Sequence, residues 1–577
     1  MSYAYIHLPK KQGLSLMEEI IFRKNTEKMP QHDMNQTFKI FFFLAVVLFC
    51  YFLTINSNHA DYDLWHRMAF GALFFQDGHL PKQDVFAYTP VKDLWIDHEW
   101  GTGIFFYWLG QSFGDRGLIL FKFGCMLGVL ALIYATQKQL SRNRFQYGIF
   151  YYLLTCLVIL PGFITTLRSQ VFTYFFFSLW IYILERIRKN QYGLAWMLPV
   201  TMIVWANVHG GFVAGLGLVG FYCIGELLNG RQPYPYLGIL AVTFMVTFIN
   251  PYGIDYWHYI LEATTMDRPY ILEWEPYNPL GWRLDQLSFI LFFMIMIGTT
   301  LFQHVKTYKE VDWVKVIVVG ATLLLTIRHT RHLVFWGISV SIFCYDSYSR
   351  LMNDVSDYFH AAVSNIMPNG FSNILNLTRY TTVYFLILIF LLVQTVGMPL
   401  RINVPEHKYP VKGIEFIRLN KLSGNLMLPF RWGGYALWKL YPQCLVSLDS
   451  RYETVYQEET FLDIMRFFLD PAKLDNFPLI LKKYPPDIIL VLPETETDKR
   501  LLSLSSWVPV YQDAYSAVFL QKAKARQNWI FPDKQFRDLD RKYNHWPKHP
   551  VPRTSRMTMP TGDYNRPAIP SRQALLQ

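Results

Sequence analysis

Long apolar stretches recur along this chain and limit what it can fold into. A helix that crosses a bilayer needs roughly 20 predominantly apolar residues, somewhat fewer when it is packed among other helices. By that measure about eleven segments qualify: 38–57, 117–137, 147–163, 169–187, 194–207, 210–228, 235–249, 286–304, 312–327, 332–347 and 380–399. Helices satisfy their own backbone hydrogen bonds in lipid, so the pattern predicts a polytopic α-helical membrane protein. Composition agrees, with 52% hydrophobic, 17% aromatic and 17% charged residues, against about a quarter charged in soluble chains.

The formal charge of +11 sits mainly in short loops and near the C-terminus, which marks topology rather than a nucleic-acid partner. Lys and Arg collect before the first span and in KQLSRNR (138–144), ERIRKNQ (185–191) and HVKTYKEVDWVK (304–315). These are alternate loops, so the positive-inside rule predicts a cytoplasmic N-terminus. Residues 1–36 are then a cytoplasmic segment leading into an uncleaved signal anchor. Residues 37–400 form the transmembrane domain, with outside loops at 58–116 and 250–285, and everything after 400 lies outside. The six cysteines contain no CxxC pair, so neither a disulfide framework nor a zinc site is indicated.

Beyond residue 400 short apolar strands alternate with helical patterns. VKGIEFIRLN and WGGYALWKLY read as helices, GNLMLPF and CLVSLDSR as extended segments. FPLILKKYPPDIILVLPE reads as a helix followed by a buried strand, and WVPVYQDAYSAVFLQK as a terminal hairpin. This predicts a small α/β domain over 401–525. Residues 526–577, rich in Pro, Arg and polar residues, read as a disordered tail.

The first outside loop holds an unusual set of charges. DYDLWHRMAFGALFFQ (61–76) is apolar nearly all round and suits an interfacial helix with Trp65 at headgroup level. On such a helix Asp63, His66 and Arg67 share a face. Asp61 and Asp63 could serve only as a helix cap and first-turn acid, and Asp63–Arg67 only as an i,i+4 pair. The same loop adds Asp84, Asp97, His98 and Glu99, and carboxylates crowded at a membrane surface point to acid/base or metal work.

The ordered motifs DYDLWHRMAFG (61–71), DGHLPKQDVFAYT (77–89), WIDHEW (95–100), RWGGYALWKLYP (431–442) and LVSLDSRYETVY (445–456) are similar to those of bacterial membrane proteins in the GT-C glycosyltransferase superfamily. The likeness covers residues 38–522 and is to a branch carrying a C-terminal α/β domain. The chain departs from that branch's usual DGR signature by having Ser450 in place of Gly. ILEW (271–274) matches an EW-P element of the same branch and brings in Glu273, which could equally be part of an interfacial turn with an aromatic belt.

Arginines at the outside ends of spans need a reason. LPGFITTLRSQVFTY places Arg168 there, and TIRHTRHLVF places Arg328 and Arg331. They either snorkel to lipid phosphates or clamp a phosphate-bearing lipid donor; members of the branch carry Arg at such places. Asn207 and His209, at another outside turn, either line the cavity or are merely hydrogen-bonded.

The resemblance implies transfer of a sugar from a polyprenyl-phosphate donor to an envelope glycan, lipid or protein acceptor. The reaction would occur on the periplasmic side of the bacterial inner membrane, with membrane lipids as the remaining partners. A loop acid would act as general base, Asp63 first and Asp61 second. Arg328, Arg331 and Arg168 would bind the lipid phosphate. His66, Asp84, His98, Glu99 and Glu273 would shape the site or hold a divalent cation, Mg²⁺ or Mn²⁺, which some superfamily members use and others do not. A transporter or flippase of a lipid-linked or anionic substrate is the alternative, although no internal repeat of the alternating-access kind is evident. A non-catalytic scaffold for envelope-glycan assembly is another. P-loop and HExxH signatures are missing from the sequence.

Overall fold

A computed structural model describes residues 31–352, apart from 57, 141–147, 164–166, 267, 269–270, 281–283 and 308–310, together with scattered residues between 386 and 394. It also describes 400–532, apart from 472–476 and 526–527. Most of the span expected at 380–399, most of the N-terminal segment and nearly all of the expected tail lie outside the described residues. The chain forms two compact units, one from Met1–Asp61 with Ile119–Asn403, the other from Tyr62–Leu118 with Val404–Gln577.

The first unit is helical, and its helices fall on the apolar segments. They include Gln31–Asn56, Gly148–Ile159, Gln170–Ile187, Met197–Val208, Val213–Leu228, Tyr234–Val246, Leu284–Thr307, Trp313–Arg328 and Leu333–Phe343. Among the described residues two helices are long and apolar enough to cross a membrane unaided, Trp100–Leu140 and Gly210–Leu228. The apolar stretches Phe43–Ile55, Tyr151–Gly162, Tyr192–Val208, Tyr234–Val246 and Gln286–Thr299 are shorter and need neighbouring helices or a thinner bilayer to do so. Trp100–Leu140 is broken at Gly114, whose φ of 62° and ψ of −155° suit glycine.

At the end of the bundle carrying the basic loops, one guanidinium ties three helices together. Arg188 donates to Glu226 at 2.6 Å, to Asp312 at 2.9 Å and to Glu185 at 3.3 Å. Gly225 lets the neighbouring backbone approach, since a Cβ there would meet the Cα of Val314 at 2.6 Å.

The second unit holds a five-stranded sheet of order β2-β1-β3-β5-β4, with β1 at Gly424–Met427, β2 at Cys444–Val446, β3 at Ile488–Val491, β4 at Trp507–Gln512 and β5 at Ala517–Gln521. β1 pairs parallel with β2 and β3, while β5 runs antiparallel to β3 and β4. β3 reads IILV and is buried at every position, as a strand covered on both faces must be. Helix Phe430–Leu440 connects β1 to β2, and the expected β4–β5 hairpin closes the edge.

The first outside loop belongs to this unit from Tyr62 onward. Helix Tyr62–Asp77 packs on Phe430–Leu440, and Gly434 permits the approach, because a Cβ there would meet the Tyr62 carbonyl at 2.8 Å. Phe86 and Tyr88 add main-chain bonds to Val446 at 2.9 and 3.1 Å, laying the loop beside β2. The expected interfacial helix is therefore corrected. Trp65 is 1% exposed and lies 5.3 Å from the Tyr435 ring, edge-on, covered by protein rather than lipid. A helix apolar nearly all round is one buried on most sides.

Candidate functional site

Two clusters of charge carry the residues singled out in the sequence, one in each unit. In the helical unit Asp61 is 4% exposed and accepts from Nε of Arg168 at 2.6 Å, with Nη2 also 2.6 Å from the same oxygen. The remaining edge of the same guanidinium, Nη1, donates to Glu273. Arg168 thus joins the residue just after the first span to the second outside loop, which the sequence could not pair.

That loop is docked on the turn between helices Trp313–Arg328 and Leu333–Phe343. His329 Nδ1 lies 2.6 Å from the Trp274 carbonyl, and the Thr330 amide donates to the Glu275 carbonyl at 3.0 Å. The Trp274 indole carries two guanidinium groups, Arg268 at 4.2 Å and Arg331 at 4.4 Å from the ring centroid. Burial opposes ionisation of Glu273, but the Arg168 charge and hydrogen bond, with Arg331 beyond, hold its carboxyl below the usual carboxylate range.

Of the three arginines expected at the lipid phosphate, Arg168 and Arg331 belong to this cluster. Arg328 is exposed at the helix end. Arg268, missed in the sequence, joins them; it lies within MDRPYILEW (266–274), in the loop expected outside, where the criterion that selected Arg168 also applies to it. Buried Lys122, 1% exposed, was likewise passed over inside an apolar run, and its amine lies 3.3 Å from Asn58 Oδ1. His209 accepts from the Gly211 amide at 2.9 Å and lies 2.7 Å from Thr173 Oγ1. Asn207 donates to the carbonyls of Ile203 and Ile249 at 2.8 Å, so both of these residues are engaged with the protein.

In the second unit the loop acids pair with buried arginines. Arg451 reaches Asp84 at 2.5 Å and Asp449 at 2.6 Å, with its guanidinium 4.7 Å from the Trp95 ring centroid. Arg67 pairs with Asp97 at 2.9 Å and with Glu99, and His98 lies 3.4 Å from Glu99. His66 Nδ1 is 2.7 Å from the hydroxyl of Ser450, the residue that departs from the DGR pattern. Burial, followed by the charges of Arg67, Arg451 and His98, keeps the His66 imidazole well below its ordinary range. Burial pushes the Asp97 carboxyl up despite Arg67 and Arg451. Asp63 sits half-buried in the first turn of Tyr62–Asp77. Asp84, Asp97 and Glu99 thus all have guanidinium partners within this unit.

A divalent cation finds no matching donor set. Among the described residues no group of three His, Cys, Asp or Glu converges to hold a metal ion. Where Asp61 and Glu273 approach each other, the Arg168 guanidinium lies between them. The residues present do not fit a resident metal.

The sequence matches no protein-family model and no curated protein. The fold is similar to that of solved oligosaccharyltransferases from Archaeoglobus fulgidus. The apo crystal structure matches with a TM-score of 0.53 at 10% identity, over 79% of this chain and 70% of that one. AglB in complex with an inhibitory peptide and a dolichol-phosphate matches with 0.53 at 9% identity, over 86% and 76%. The chain has a GT-C fold.

Proposed function

We propose that this chain is a membrane glycosyltransferase that moves a sugar from a polyprenyl-phosphate donor to an envelope acceptor on the periplasmic side of a bacterial inner membrane. The observation that carries the reading is the Asp61–Arg168–Glu273 ion-pair fork beside Trp274, Arg268 and Arg331 in a GT-C fold. In this reading the apolar segments, about eleven in number, span the membrane with the N-terminus in the cytoplasm. The α/β unit lies outside. AglB, solved with a dolichol-phosphate, carries a lipid of the donor class proposed here.

The chemistry follows from the charges. An acceptor hydroxyl attacks the anomeric carbon, and the bond from that carbon to the lipid phosphate oxygen breaks. The phosphate leaves with the electron pair, and the hydroxyl proton passes to a carboxylate. Asp61 is the proposed base, ahead of Asp63, because it lies in the same cluster as the cations that the phosphate requires. A positioned carboxylate contributes roughly 10²–10⁴-fold. Arg331, with Arg268, meets the departing phosphate, as fixed cations do where negative charge develops.

Asp61→Asn and Asp63→Asn, both nearly isosteric, test the assignment in membranes supplied with a polyprenyl-phosphate sugar. Asp61→Asn loses transfer by about 10²-fold or more, while Asp63→Asn keeps most of it. Unchanged transfer by Asp61→Asn sinks the base. Wild type that transfers from no lipid-linked donor but moves one across the membrane is a flippase instead.

A further inference from the structure

We infer that a guanidinium stands in this site where a divalent cation would otherwise sit: Arg168 joins Asp61 to Glu273, so the site works without a resident metal. The inference rests on the proposed glycosyl-transfer site and specifies its electrostatics. Three observations carry it.

The first is geometry. Two nitrogens of Arg168 converge on one oxygen of Asp61 at 2.6 Å, and a third reaches Glu273 from the other edge of the plane. A planar fork is the cation that bridges two carboxylates by hydrogen bonds. Mg²⁺ instead needs near-octahedral oxygen ligands at about 2.0–2.1 Å, inside the volume that the guanidinium fills.

The second is charge. Asp61 and Glu273 bring two negative charges, and Arg168 and Arg331 bring two positive ones. Arg331 lies on the ring of Trp274, the residue next to Glu273, and its field reaches the Glu273 carboxyl. With Arg268 on the same ring, three guanidinium groups face two carboxylates, so the set carries a surplus positive charge before any metal is added. A metal added to this set would bring two uncompensated positive charges.

The third is the donor count. No third His, Cys, Asp or Glu converges on the pair among the described residues, so a cation held there would have only these two carboxylates and water as ligands, and Arg168 already engages both. The ligand this arrangement suits is therefore anionic, a phosphate group approaching Arg331 and Arg268 beside Trp274.

Mn²⁺ binding, read by electron paramagnetic resonance on the full chain in lipid nanodiscs, tests this without depending on turnover. Wild type and Arg168→Lys are expected to bind no Mn²⁺ at this site. Arg168→Ala is expected to bind it at least about tenfold more tightly, since a cation against both carboxylates disfavours a second one; adding Asp61→Asn removes the gain. Where Arg168→Ala fails to fold, wild type against Asp61→Asn decides alone. Mn²⁺ bound by wild type and lost in Asp61→Asn overturns the inference, as does transfer abolished by EDTA and restored by Mn²⁺. A membrane preparation with no transfer at all leaves the Mn²⁺ result standing, so failure of this inference and failure of the glycosyltransferase reading are distinguishable.

Discussion

Replacing Arg451 by Met tests whether the SLDSR motif and Asp84 hold the second unit together. Arg451 is 3% exposed, Asp84 1% and Asp449 0% at their side chains, so the substitution strands two carboxylates in the interior. Breaking a buried pair by removing one partner costs about 3–5 kcal/mol. The guanidinium also sits 5.0 Å from Phe86 and 4.7 Å from Trp95, contacts worth ~0.5–2 kcal/mol. Against this, Tyr456 still donates to Asp449 at 2.7 Å, and the Ala87 amide still donates to Asp84 at 2.7 Å. The expected loss is about 4 kcal/mol, a large share of a typical domain's ~5–15 kcal/mol. Urea unfolding of the full chain, followed by tryptophan fluorescence because Trp95 lies against the guanidinium, reads it. Adding Asp84→Asn should recover about 1–2 kcal/mol, as coupled partners do. A loss for Arg451→Met within the ~0.5 kcal/mol of an ordinary surface change would refute the reasoning.

His66 makes the second unit sensitive to acid. Its imidazole is held well below the ordinary 6.5, so the unfolded chain binds the proton first. Stability is fully present above 6.5 and falls as pH drops below it. Asp97, raised from 3.8, acts with the opposite sign, since its burial cost is relieved as acid protonates it. His66→Gln should flatten the loss below pH 6.5 while leaving the Asp97 contribution, and an unchanged slope in pH-dependent melting counts against the assignment. In the helical unit the sulfurs of Cys50 and Cys156 lie 3.7 Å apart. A disulfide requires them to close to ~2.05 Å. A membrane-permeant oxidant should crosslink them, and Cys156→Ser should abolish the product in peptide mass spectrometry. No crosslink in wild type would contradict the packing of Gln31–Asn56 on Gly148–Ile159.

The helices of the first unit were legible because a long apolar run has few alternatives in lipid. Met197–Val208 and Trp313–Arg328 fall on the short segments 194–207 and 312–327. The strands were legible for a related reason, since IILV (488–491) between turn-formers suits a buried strand. Partner choice was not legible. Periodicity shows that Tyr62–Asp77 must be covered, but lipid and the Phe430–Leu440 helix are both apolar, and nothing local tells one from the other.

The same ambiguity governs the charges. A carboxylate near a membrane surface looks functional whether it faces a substrate or an arginine distant in sequence. Asp84 and Arg451 are separated by 367 residues and Asp61 and Arg168 by 107, so no local pattern could pair them. What separates the two pairs is their surroundings. The Arg451 cluster is closed, with every charged side chain at 3% exposure or less. The Arg168 cluster is open on one side, with Arg168 at 20% and Glu273 at 40% while Asp61 is at 4%, and it has two further guanidinium groups on Trp274. A closed ion-pair cluster can only hold a fold together, whereas an open one with surplus cations can admit an anion. That difference favours the Arg168 cluster over the Arg451 cluster as the place where the proposed glycosyl transfer would occur.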